Sequence, residues 1–127
     1  SRDFVYIDDA VESIVRCLQP QRTGQRVLNV GSGRAISILE VARTMNSYFG
    51  GRSAVTISGA YRVGDIRHNM ADIKRLKEDL GFTPRWCFED GMKQFLQWVD
   101  GQHMAVDAPQ RYAHSLRELR ALGLMTV

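Results

Sequence analysis

Only three short segments of this chain have the character of β-strands, and that scarcity limits what it can fold into. Phe4, Val5, Tyr6 and Ile7 form the first, Val27, Leu28, Asn29 and Val30 the second, and residues 54–57 the third. Each is rich in β-branched or aromatic side chains and bounded by turn or capping residues. Helical patterns lie between and after them. Alternating strands and helices imply an α/β arrangement, yet three short strands are few for a sheet covered on both faces. The expectation is a sheet completed by strands from elsewhere.

The helical segments carry their own punctuation. Asp8 and Asp9 stop the first strand, and Asp9 followed by Glu12 reads as an acidic capping box; Val11, Ile14, Val15 and Leu18 then share one helical face until Pro20. Ser37 and Glu40 repeat that logic for a helix over about 38–49, with Ile38, Val41, Ala42, Met45 and Phe49 as its stripe and Gly50 and Gly51 as its stop. A short helix is predicted over 73–80, capped by Asp72 and closed by Gly81. Met92, Phe95, Leu96 and Val99 define another over 89–99 after Pro84, and a last one spans about 109–122 before Gly123. About five helices are therefore expected, with residues 62–71 largely loop and residues 100–107 a linker.

Composition narrows the class. The 127 residues, 44% hydrophobic and 24% charged, suit one globular domain. A net charge of +3 could suggest a nucleic-acid partner, but the basic residues around 16–26, 74–77 and 117–120 are interleaved with acids and read as solvated faces. No apolar run is long enough to cross a bilayer and no signal segment is visible, so no membrane partner and a cytoplasmic location are expected. Cys17 and Cys87 lie far apart without histidines at ligand spacing, which suggests neither a metal site nor a disulfide framework. Ser1, Arg2 and Asp3 run straight into a strand without an initiator methionine, as in a piece cut from a longer chain.

Several motifs dissolve on inspection. Gly31, Ser32 and Gly33 follow a strand and precede a helix, but Ile36 stands where a dinucleotide fingerprint has its third glycine, and no acidic residue follows at the ribose-binding distance. A plain strand-to-helix turn is the simpler reading. Ser32 lacks the nucleophile elbow, since Val30 precedes it by two. His68, His103 and His114 are unclustered, and adjacent Asp8 and Asp9 are better explained by capping than by acid/base catalysis. Arg2, Arg62 and Asp65 stand out: two arginines at strand ends could grip a diphosphate from two sides, and a carboxylate could accept from ribose hydroxyls. Local surface ion pairs are the bland alternative.

The run from Arg2 to Asp9 (Arg-Asp-Phe-Val-Tyr-Ile-Asp-Asp), then Leu28 to Gly33, then Arg62 to Arg67 with Ala71, Asp72 and Ile73, resembles the extended short-chain dehydrogenase/reductase family in order and spacing. Leu80 to Pro84 and Glu89 to Trp98 continue the likeness, which covers about residues 2–99. It implies the carboxyl-terminal, substrate-binding lobe of a Rossmann-type NAD-dependent sugar-nucleotide epimerase/dehydratase, with residues 1–99 as the sugar-nucleotide-binding lobe and 100–127 as linker and final helix of the same domain. In such a lobe Arg2 and Arg62 would hold the diphosphate of a UDP- or dTDP-sugar and Asp65 its ribose. Asn69 matches a position beside the sugar. Phe4, Tyr6, Asn29 and the glycines from 31 to 33 would serve as scaffold.

The family's chemistry needs a glycine fingerprint for NAD and a Tyr-x-x-x-Lys pair, and this sequence has neither. Residues four after Tyr6, Tyr48, Tyr61 and Tyr112 are Ala10, Arg52, Asp65 and Leu116. No catalytic residue and no cofactor site are therefore expected here, and NAD would belong to an amino-terminal domain of the parent enzyme. The resemblance points to a 4-epimerase of UDP-glucose or dTDP-rhamnose type, inactive as this chain alone. A dehydratase sharing the lobe, or a stand-alone nucleotide-sugar-binding or assembly module, are the alternatives. Apolar surface left bare by the absent domain would favour a homodimer.

Overall fold

The computed structural model describes residues 1–19, 25–102 and 108–126. Among these residues five helices carry the fold: α1 (Ile7–Cys17), α2 (Ile38–Tyr48), α3 (Lys74–Leu80), α4 (Phe88–Asp100) and α5 (Ala108–Ala121). α1 packs against α3, and α2 against α4. α2 to α5 match the helices read from the sequence to within a residue at each end, whereas α1 begins three residues earlier than its expected cap at Asp9 implies. His103 and most of the expected linker lie outside the described residues.

None of the three expected strands forms a ladder among the described residues, where the only β-pairings are isolated antiparallel bridges, Arg2 with Ile36 and Arg62 with Met125. Ile7 belongs to α1 rather than to a strand. Residues 27–30 and 54–57 have no β-partner, and Val27 and Ile57 are 75% and 78% exposed. A strand exists only where a neighbour takes its N–H and C=O groups, so β-propensity alone could not create one here.

Asp9 corrects the capping expectation. α1 begins before it, at Ile7, with extended Tyr6 as the N-cap and no side-chain capping bond. Asp9 instead lies buried on the inner side of the helix, where its carboxylate accepts from the backbone N–H of Arg85 at 3.0 Å and of Trp86 at 2.9 Å. Ser13, also buried, donates Oγ–H to the Asp9 carbonyl at 2.7 Å. α1 is thus inverted. Asp9 and Ser13 face inward, while Ile7, Val11, Ile14, Val15 and Leu18 are exposed.

The other helices follow ordinary rules. Ser37 Oγ accepts from Glu40 N and starts α2; Cys87 Sγ accepts from Asp90 N and starts α4. Asp72 Oδ1 accepts from Lys74 N at 2.9 Å, and Gly81, at φ +60°, closes α3 in the left-handed conformation. Ile73, Leu76 and Phe82 form a small core with Ala71 and Leu80. The Arg16 guanidinium lies 5.0 Å from the Phe82 ring centre and ties α1 to it. The 4–6 segment is anchored by aromatic contacts, Phe4 to Phe88 at 5.8 Å and Tyr6 to Trp86 at 4.3 Å between ring centres.

Candidate functional site

Residues 1–3 run alongside residues 67–71, and this pairing assembles the cluster. The Ser1 amino group donates to the Arg67 carbonyl at 2.9 Å, and Asn69 N donates to the Ser1 carbonyl at 3.1 Å. Arg2 exchanges both backbone hydrogen bonds with Ile36 at 2.8 Å. Its guanidinium then turns toward the loop. Arg2 Nη2 lies 2.7 Å from Asp65 Oδ1, and Nη1 donates to the carbonyls of Ser1 at 3.0 Å and Arg67 at 3.3 Å. An ion pair this exposed contributes little to stability, about 0–1 kcal/mol, so it is better regarded as an arrangement than as a staple.

Arg62 and Asp65 are joined by a turn. Asp65 N donates to the Arg62 carbonyl at 3.1 Å, and Gly64 between them sits at φ +81°, a conformation that glycine adopts without strain. On its other edge the Arg62 segment is held by the chain end: Val63 N donates to the Leu124 carbonyl at 3.0 Å and Thr126 N to the Tyr61 carbonyl at 2.9 Å. The return of residues 124–126 to this loop has no local signature, because a single bridge leaves no periodic pattern to read. Arg2 and Asp65 are in contact, Arg62 occupies the same turn as Asp65, and Asn69 is fixed by its backbone beside Ser1 with its side chain exposed.

Asp3 is the residue the sequence reading overlooked. Its Oδ1 accepts from Ser32 N at 2.7 Å and Ser32 Oγ at 2.6 Å; its Oδ2 accepts from Gly33 N at 3.0 Å and Ala71 N at 3.2 Å. Desolvation is the largest single influence on this carboxyl and pushes its pKa up, but the hydrogen bonds from Ser32, Gly33 and Ala71 together outweigh it and hold the group below the usual carboxylate range. Gly31 must be glycine because a Cβ there would stand 2.5 Å from Ala71 Cβ and 2.6 Å from Asp3 Oδ2.

This explains the failed fingerprint physically. The turn from Gly31 to Gly33 does form a nest of backbone N–H groups, the device that elsewhere receives phosphate, but an internal carboxylate fills it. These residues do not fit the pyrophosphate of a dinucleotide. Among the described residues no group of three or more His, Cys, Asp or Glu side chains is placed to hold a metal ion. No described helix is long and apolar enough to cross a membrane. A small hollow between the 4–6 segment and α4, bounded by Phe4, Tyr6, Phe88 and Phe95, is apolar and excludes all four candidate residues.

No protein-family profile matches the chain. Individual proteins do. Over 99 residues it is 35% identical to a dTDP-L-rhamnose 4-epimerase of Burkholderia thailandensis, covering 78% of this chain and 27% of that protein. It is 30% identical over 118 residues to a probable UDP-glucuronate 4-epimerase of Rhizobium meliloti, covering 79% of this chain and 34% of that one. In three dimensions 77% of the chain superposes on 32% of MoeE5, a structure solved with UDP-glucuronic acid and NAD, with a TM-score of 0.69 and 32% identity. The helices, the two bridges and the Arg2–Asp65 cluster thus sit in a chain whose relatives are sugar-nucleotide enzymes. It belongs to the family of sugar-nucleotide epimerases and dehydratases. It spans about a quarter to a third of the length of the curated relatives it matches.

Proposed function

We propose that this chain is the nucleotide-sugar-binding portion, the carboxyl-terminal lobe, of an NAD-dependent nucleotide-sugar 4-epimerase. Arg2 and Arg62 take the diphosphate of a UDP- or dTDP-sugar, Asp65 accepts from the ribose hydroxyls, and Asn69 lies beside the sugar. The observation that carries this reading is the ion pair of Arg2 with Asp65, 63 residues further along the chain, in the turn that also carries Arg62. Guanidinium groups suit the task because their planar donors match phosphate oxygens in pairs.

The inverted α1 supports the second half of the proposal. A helix with an exposed apolar face and buried polar groups is built to be covered, and relatives nearly three times as long leave room for a further domain that would cover it. NAD and the proton-transferring residues belong to that domain in this reading. The chain's own contribution is binding: affinity from the distant nucleotide holds the substrate while the sugar stays loosely held, so that its other face can turn toward the cofactor.

Titration of the isotopically labelled chain with UDP or dTDP tests this. Amide shifts at Arg2, Arg62, Asp65 and Asn69 are expected, with binding weakened by Arg62→Ala. A titration that leaves those residues unmoved contradicts the assignment. Calorimetry with NAD should give no stoichiometric signal, because Asp3 already occupies the nest at residues 31–33.

A further inference from the structure

We propose that Asp3 is a positioning residue of the nucleotide-sugar site: its carboxylate sets the register between residues 1–3 and 67–71 and so presents Arg2 to the diphosphate. This rests on the reading of Arg2 and Asp65 as ligand-binding residues given above. Asp3 itself touches no ligand. A carboxylate offers about four acceptor directions, and Ser32 N, Ser32 Oγ, Gly33 N and Ala71 N account for four donors.

Those donors come from two separate segments, the 31–34 turn and the end of the 67–71 run. Ser1 contributes two main-chain bonds to the pairing with 67–71, one to Arg67 and one from Asn69. The next step along that pairing, at Ala71, is made by the Asp3 side chain. Two acceptors of the Arg2 guanidinium, the carbonyls of Ser1 and Arg67, lie on the two segments of this pairing, and the third, the Asp65 carboxylate, stands two residues before Arg67. If the register slips, Arg2 loses its orientation even though its own backbone bridge to Ile36 remains. Asparagine at position 3 would keep the shape but turn an NH2 toward N–H donors, so one of the two attachments would open.

The experiment compares wild type, Asp3→Asn and Ser32→Ala in binding uridine, UMP and UDP, followed by NMR. Uridine reports the integrity of the lobe, and the gain from uridine to UDP reports the guanidinium. Weakening one charge-assisted contact of Arg2 corresponds to roughly tenfold in affinity, so Asp3→Asn is expected to lower UDP affinity by about that factor and leave uridine affinity unchanged. Ser32→Ala should show a smaller loss of the same kind, and it carries the test if Asp3→Asn does not fold. Equal affinity for UDP in all three proteins, or a proportional loss for uridine and UDP, overturns the proposal.

A second readout needs no ligand. Nuclear Overhauser contacts between the Arg2 side chain and Asp65 should vanish in the variants while amide protection in α3 persists; if they persist too, Asp3 is not the positioning group. Should wild type bind none of the nucleotides, the assignment of the site fails, and this second measurement still decides the role of Asp3.

Discussion

The carboxylate of Asp9 meets the backbone nitrogen of Trp86 at 2.9 Å, across a separation of 77 residues, and joins the start of α1 to the entrance of α4. Its second partner, Arg85 N, lies 3.0 Å from both oxygens. The residue is almost wholly buried, at 1% exposure, so these bonds are what make a charge tolerable at that place.

Replacing Asp9 by alanine therefore takes their acceptor from the part-buried N–H groups of Arg85 and Trp86 and leaves the tie between these segments unmade. The expected cost is about 2–4 kcal/mol, from charge-assisted bonds lost and donors left unsatisfied. Urea unfolding checks it: the midpoint should fall while the slope stays constant. A change within ±0.5 kcal/mol, the range of ordinary surface substitutions, would contradict the role given to Asp9.

Glycine substitutions separate two causes of glycine use. At Gly31 an added Cβ would meet Ala71 Cβ at 2.5 Å, an atom attached directly to backbone that cannot swing away. At Gly59, with φ +76° and nothing within 4 Å, only backbone strain opposes a side chain. Gly59→Ala should cost about 1–2 kcal/mol, the price of a left-handed L-residue. Gly31→Ala should cost more, about 1–3 kcal/mol from overpacking, together with loss of the Asp3 nest. Thermal unfolding of the pair gives the order directly, and equal stability would show that the Gly31–Ala71 approach relaxes freely.

Helices were legible because their information is local. Ser37 with Glu40, Gly81, and the apolar spacing in α2 and α4 are each readable within a turn or two, and each stands where expected. Strands were not, because Val27 to Val30 has strand composition but no partner among the described residues, and composition cannot report a partner. Asp9 shows a subtler limit. Its spacing to Glu12 is that of a capping box, yet the carboxylate was bound instead by backbone at 85–86, whose arrival no local pattern announces. Arg2, Arg62 and Asp65 were picked out by residue chemistry and resemblance. Asp3 was missed because an acid beside an arginine looks like a surface pair until the nest at 31–33 is seen around it.

Acid stability should carry the mark of Asp3. Its folded-state pKa lies below the ordinary value of an aspartate, so the carboxylate prefers the folded state when ionised. That stabilisation is fully present above the unfolded value and is lost as pH falls through the lower, folded one. Stability measured from pH 6 down to pH 2 should hold a plateau to about pH 4 and then decline. In Asp3→Asn the plateau should be lower and the decline below pH 4 shallower. An acid limb of the same steepness in both proteins would mean that Asp3 is not tied to folding.

The apolar face of α1 should govern association. Val11 and Ile14, 48% and 60% exposed, occupy the middle of a stripe that runs from Ile7 to Leu18, while the groups holding α1 in place, Asp9 and Ser13, lie on the opposite side. Changing both to glutamine removes apolar surface without touching a buried contact, so the change in unfolding free energy should stay within about 0.5 kcal/mol per site. Contiguous apolar surface of this kind is rarely left bare in solution, and without the covering domain proposed above the chain should self-associate through it. Sedimentation velocity is then expected to show dimers or larger species for wild type at high concentration and a monomer for Val11→Gln/Ile14→Gln. A wild-type chain that stays monomeric at high concentration would mean that the stripe is tolerated by water, and one that dimerises equally well with both glutamines would move the interface away from α1.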